Sequence, residues 1–188
     1  MKVAFFGGSF DPPHVAHVLG AGYLAGAAGF DLVLVVPTYE HAFGKTLSDF
    51  EQRVELCRLA FRELLRVQVS DLEGRLPRPT YTLTTLEAIA SEHPSWQLRL
   101  VIGSDVLAET ARWHEYARVV ELAPPFVLGR HGYPQPDAPL PVLPDVSSTQ
   151  IRAMLSSSEP GHRPTELTRL LPPQVLQAID RCQLYRCT

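Results

Sequence analysis

The chain has 188 residues, 45% of them hydrophobic and 20% charged, with 17 Lys+Arg against 20 Asp+Glu and a formal net charge of -3. That size suits one sizeable core, and that balance excludes a disordered chain and any nucleic-acid or anionic-membrane binder that relies on bulk positive charge. No stretch nears the roughly 18 apolar residues of a membrane span, and the first residues lack the anatomy of a secretory signal.

In chain order, Lys2 to Phe6 is an apolar run stopped by Gly7-Gly8 and predicts a strand, and Val15 to Ala28 predicts the helix after it. Asp31 to Val36, stopped by Pro37, predicts a second strand. Asp49 to Leu65 carries Val54, Leu56, Leu59, Ala60 and Leu64 at helical spacing, and Ser48 with Glu51 predicts a capping box at its start. Val67 to Val69 is a weaker strand candidate, and Leu83 to Glu92 predicts a helix that ends before Pro94. Leu98 to Ile102, stopped by Gly103, predicts another strand. A short helix at Val106 to Thr110, a helix at Glu115 to Leu122 and a weak strand at Phe126 to Leu128 follow. His131 to Asp145 holds five of the 17 prolines and reads as a surface connection. Ser148 to Leu155 and Pro173 to Arg181 predict the last two helices, with a polar loop at Ser156 to Pro164. Short, largely apolar strands alternating with helices predict an α/β, doubly wound parallel sheet with helices on both faces. One domain is expected over 1–188, with 146–188 a small helical extension.

Two constellations carry chemistry. Gly7 to His17 reads GGSFDPPHVAH and spans a strand end and a helix start, the place where open α/β sheets bind ligands. Glycines let the backbone approach a ligand, and a helix N-terminus offers unpaired N–H groups to an anion. His14 and His17, three apart, share one face of the first helical turn and can donate to phosphate oxygens. A structural loop is the plainer alternative. Neither GxGxxG nor GxxxxGK[ST] is present, and HxxH without HExxH or a third ligand gives no metal site.

Val146 to Leu155 reads VSSTQIRAML, where Ser147 and Gln150 predict a capping box. Ser148 and Thr149 then add hydroxyl and backbone donors at the helix start, and Arg152 can reach back to grip a phosphate. Plain capping beside a surface arginine is the alternative reading.

Together GGSFDPPHVAH and SSTQIR resemble the nucleotidyltransferase superfamily that carries HxGH and SSTxIR motifs. TYTLTTLEAI, LVIGSD and Trp113-His114 resemble the bacterial nicotinate-nucleotide adenylyltransferases within it, and the likeness runs from about residue 2 to about residue 181. The resemblance implies a Rossmann-like fold and transfer of an adenylyl group from ATP, with Mg²⁺, to a pyridine mononucleotide. It places His14, His17 and Arg152 on the ATP phosphates. It makes Gly7, Gly8, Ser9, Phe10, Lys45, Gly103, Asp105, Ser147, Ser148 and Thr149 the ATP-binding set. Trp113 is implied as the stacking face for the pyridine ring. Two departures stand out: Ala16 replaces the Gly of HxGH, and PTYEHAFGK replaces a basic PPHK-like segment, with Lys45 and His41 as competing stand-ins.

Tyr81, Thr84 and Thr85 at the start of the third helix can receive a nicotinate carboxylate, or Thr82 or Thr84 can simply cap that helix. Tyr39, His41, Phe43 and Lys45 read as a cover over ATP, or equally Tyr39 and Phe43 as plugs for the sheet edge. The same end motifs would suit nicotinamide mononucleotide or phosphopantetheine as acceptor, or a nucleotide-binding regulator without turnover. Pro172 to Leu184 reads as a packing helix or a homodimer surface. Three cysteines, an odd number, argue against a disulfide framework; Cys57 reads as a buried thiol, and the expected location is cytoplasmic.

Overall fold

Alternation along the central strands divides the molecule into two apolar layers. In β1 (Lys2–Gly8), Ala4 and Phe6 face one layer while Val3 and Phe5 face the other. β2 (Leu32–Pro37) does the same, with Val33 and Val35 opposed to Leu32, Leu34 and Val36. Val3 to Phe6 and Leu32 to Val36 are therefore apolar without a break, as a sheet covered on both faces requires. The computed structural model describes residues 1–40, 44–133, 143–160 and 162–186.

β3 (Val67–Val69), β4 (Gln97–Gly103) and β5 (Pro125–Leu128) complete a five-stranded sheet in the order β3-β2-β1-β4-β5, with every pairing parallel. The order reverses between β1 and β4, so a crevice opens beyond Gly8 and Gly103, where a doubly wound fold places its ligand.

The larger layer packs α1 (Val15–Gly26), α2 (Phe50–Phe61), α5 (Ser148–Ser156), α6 (Thr165–Leu170) and α7 (Pro173–Cys182) on one sheet face. The other face receives α3 (Thr82–Glu92), α4 (Tyr116–Leu122) and two short 3-10 turns, Leu72–Arg75 and Leu107–Arg112. The C-terminal helices are thus part of the main core: Ile151, Leu155, Leu167, Val175 and Ile179 are all at most 1% exposed. This bears out the packing reading of the tail.

Three expectations change. The capping box at Ser48 does not form; Asp49 caps α2 by accepting from the Gln52 amide, while the Ser48 amide is drawn to Asp11. α2 also stops at Phe61, short of Leu65. α6 falls where no helix is predicted; it is a six-residue helix that buries Leu167.

Candidate active site

At the end of β1 the chain crosses the crevice as Ser9 to Pro13 and enters α1 at His14. The Phe10 ring is 1% exposed and meets Phe6, Phe61 and His17 edge-on, at 4.8 Å from the His17 ring. The resemblance puts Phe10 against ATP; its side chain instead backs His17 from the core side. A Cβ on Gly8 would come within 3.2 Å of the Phe10 ring, so glycine there keeps the strand end close to its own core. Ala16 is 3% exposed and its methyl joins the main core, which accommodates the departure from HxGH.

His14 and His17 stack, with ring centroids 3.8 Å apart. Burial, then the nearby Arg130 guanidinium, pushes the His14 imidazole down to about 3. Burial first, then His14 and Arg130, holds His17 well below its ordinary value. Both rings are neutral at pH 7. The His14 amide donates to His17 Nδ1 at 3.2 Å, so neutral His17 carries its proton on Nε2, the tautomer that can donate. His14 Nδ1 is buried without a hydrogen-bond partner among the described residues, ready for one.

α5 begins where the sequence predicts, capped by Ser147 with Gln150 in a reciprocal box. Its first turn lies on the β1–α1 loop. Ser148 Oγ donates to the Pro12 carbonyl at 2.9 Å, and Arg152 donates to the Asp11 carbonyl at 2.6 Å. The two helix starts therefore converge. The hydroxyls of the Ser-Ser-Thr run, expected as ligand donors, are committed internally: Ser147 caps, Ser148 ties down Pro12, and Thr149 accepts from Arg152 at 3.4 Å. What the turn offers a ligand is its backbone N–H groups and the guanidinium.

Gly103 ends β4 beside the same crevice. A Cβ there would collide with Asp105 Oδ1, so glycine lets that carboxylate close over the end of β4. Asp105 pairs with Arg130 at 3.3 Å, and its Oδ1 is buried without a hydrogen-bond partner among the described residues. Arg130 also donates to the Val146 carbonyl at 2.9 Å, joining the end of β5 to the approach to α5. Sequence reading missed Arg130, which stands alone after a weak strand.

Lys45 is exposed on an open cleft of about 460 Å³ that Tyr39, Ser48, Phe50 and Arg53 help to line. His41 and Phe43 lie outside the described residues. Tyr39 carries the Arg78 guanidinium 3.1 Å from its ring centroid. Arg53 organises this side. It is 1% exposed and donates to the carbonyls of Ser48, Ser9, Thr38 and Tyr39, fixing the loops after β1 and β2 to the start of α2. Its signal was present in the sequence: Arg53 lies between Phe50 and Cys57 on the buried stripe of α2.

On the opposite layer, Tyr81 stacks on His114 at 4.4 Å, and the half-buried Trp113 meets Tyr116 edge-on at 5.9 Å. Tyr81 and the Trp113-His114 pair are thus brought together, with Thr84 partly exposed on α3. Thr85 is not presented to a ligand. It is fully buried, and its hydroxyl donates to Glu73 Oε1 at 2.9 Å. Glu73 Oε2 in turn accepts from Thr38 and from the Tyr39 amide, so Thr85 braces the loop after β2.

A parallel doubly wound sheet whose switch-point crevice carries two helix starts, two imidazoles and two guanidinium groups suits a phosphate-bearing ligand. A Cytidylyltransferase-like family model matches residues 5–154. The protein named "Probable nicotinate-nucleotide adenylyltransferase" in Anaeromyxobacter dehalogenans (strain 2CP-C) is 43% identical over 98% of this chain and 97% of its own. A protein of the same name in Thermus thermophilus is 36% identical over 99% of this chain and 100% of its own. The chain belongs to the nicotinate-nucleotide adenylyltransferase family, within the cytidylyltransferase-like nucleotidyltransferases. Among solved structures, the Plasmodium falciparum nicotinic acid mononucleotide adenylyltransferase complexed with NaAD shares the fold, with a TM-score of 0.81, 19% identity, and coverage of 98% of this chain and 97% of its own.

Proposed function

We propose that this enzyme transfers the adenylyl group of ATP to nicotinate mononucleotide, forming nicotinate adenine dinucleotide and releasing pyrophosphate. Within the site, the observation that carries the reading is the contact of the α5 start with the β1–α1 loop, which sets Arg152 and the His14-His17 pair around one crevice.

The chemistry asks for little covalent help. A phosphate monoester is mostly dianionic at pH 7, since its second pKa is about 6, so the nucleophile needs no general base. An oxygen of the mononucleotide phosphate attacks the α-phosphorus of ATP, the bond from that phosphorus to the bridging oxygen breaks, and pyrophosphate departs. The obstacle is to hold two polyanions in line and to meet charge developing on the leaving group. His17 Nε2–H, the His14 ring, Arg152 and the first N–H groups of α5 fill that role. Gly7, Gly8 and Ser9 bring the end of β1 to the nucleotide, Gly103 and Asp105 bring the end of β4, and Lys45 reaches the phosphates from the cleft side. Tyr81, Thr84 and Trp113 receive the pyridine nucleotide, with Trp113 as the stacking face.

Mg²⁺ suits this donor set. No three His, Cys, Asp or Glu side chains gather into a metal cage among the described residues. Such a site fits an ion that keeps phosphate and water as most of its ligands and neutralises phosphate charge. The buried free thiol of Cys57 fits the reducing, cytoplasmic setting expected from sequence.

The test is pyrophosphate release from ATP and Mg²⁺ with a panel of acceptors. Nicotinate mononucleotide should give the highest kcat/KM. Preference for nicotinamide mononucleotide or phosphopantetheine replaces the acceptor, and ATP binding without release from any acceptor replaces the enzyme with a regulator.

A further inference from the structure

Asp11 is 2% exposed, yet its carboxylate has a full set of partners drawn from three distant parts of the chain. Oδ2 accepts from the Ser48 amide at 3.1 Å and lies 3.7 Å from the Arg152 guanidinium. Oδ1 accepts from the Tyr185 hydroxyl at 2.8 Å, across 174 positions of sequence. Tyr185 follows α7, where the chain turns back on itself. Gln183 has φ 55° and Tyr185 has φ 62°, both in the left-handed region that costs a side-chain-bearing residue, and the Leu184 amide bonds back to the Ile179 carbonyl at 3.0 Å. A strained hook thus delivers one hydroxyl to one buried carboxylate at the mouth of the crevice. The matched family model ends at residue 154 and does not reach it.

We infer that Tyr185 is a positioning residue for the ATP site: its hydrogen bond orients Asp11, whose backbone carbonyl holds the Arg152 guanidinium. The inference rests on the reading that Arg152 grips the ATP phosphates. A tail that merely fastens the fold would contribute equally to the free and ATP-bound protein. A tail that sets Arg152 contributes to ATP binding and only while Arg152 is present.

The experiment compares the wild type, Y185F, R152A and the double variant. Each is titrated with ATP up to millimolar concentration and melted with and without ATP. Y185F is expected to weaken ATP binding by about tenfold, the size of a lost hydrogen bond to a charged group. It should also shrink the ATP-induced rise in melting temperature and leave KM for nicotinate mononucleotide unchanged. In the R152A background the same substitution should change ATP affinity by less than about twofold, because coupled residues are not additive. An equal effect in both backgrounds overturns the inference, as does a lowered melting temperature with an undiminished ATP-induced rise. Wild-type ATP affinity in R152A sinks the phosphate role of Arg152 and this inference with it. A wild type that binds ATP but transfers nothing defeats the functional reading alone, because the affinities still decide whether Tyr185 acts through Arg152.

Discussion

The Ser148 hydroxyl donates to the Pro12 carbonyl at 2.9 Å, and this one bond, across 136 positions of the chain, registers the start of α5 on the loop that leads into α1. A hydrogen bond of this kind is worth about 1 kcal/mol net, close to a fivefold factor. Ser148→Ala should therefore lower kcat/KM for ATP by about fivefold while leaving KM for nicotinate mononucleotide unchanged. Steady-state kinetics with each substrate varied in turn checks this.

His17 presents its Nε2–H because its Nδ1 is occupied by the His14 amide. Loss of a donor aimed at developing charge typically slows turnover by about 10²-fold or more. His17→Ala should show that loss in kcat when assayed at a temperature where the variant remains folded. A variant that turns over at the wild-type rate removes His17 from the chemistry.

Both histidines stay neutral in the folded protein, His14 down to about 3, whereas an unfolded histidine titrates near 6.5. Below pH 6.5 the unfolded chain binds more protons than the folded one, so stability falls as pH falls. For His14 the loss runs from about pH 6.5 towards pH 3, at about 1.4 kcal/mol per pH unit. His14→Gln should have a flatter decline in melting temperature between pH 7 and pH 5 than the wild type. Parallel curves for the two proteins refute the prediction.

Arg53 supplies donors to four backbone carbonyls from within the core. Arg53→Met would strand those carbonyls and leave buried Asp11 with one fewer cation nearby. Breaking such a buried charged network costs about 3–5 kcal/mol. Urea denaturation should show a midpoint lowered accordingly. A shift under about 1 kcal/mol, the worth of a single neutral hydrogen bond, would mean that water replaces the guanidinium.

The strands were legible because burial on both faces leaves a run with no polar position, as in Leu32 to Val36. The meeting of His14 and His17 with the start of α5 was legible because HVAH and SSTQIR each hold their groups within a few residues. What lay between was not, and the reasons are physical. Ser48 looks like a cap, but its amide is claimed by Asp11, which only the folded chain brings near. Thr85 looks like a substrate donor, but Glu73, twelve residues earlier, takes its hydroxyl inside the protein. Phe10 sits in the nucleotide-binding segment, yet its apolar ring is drawn to the Phe6 and Phe61 side of the loop. Arg130 and Tyr185 act across strands and tail, and no local spacing announces them.

The bond from Tyr185 to Asp11 also has a meaning for synthesis on the ribosome. Ile151, Leu167, Val175 and Ile179 belong to the main core, so the chain must leave the exit tunnel almost entire before Asp11 gains its last ligand. A product clipped by a protease after Cys182 would keep α7 yet lack the Asp11 partner that steadies the arginine clamp.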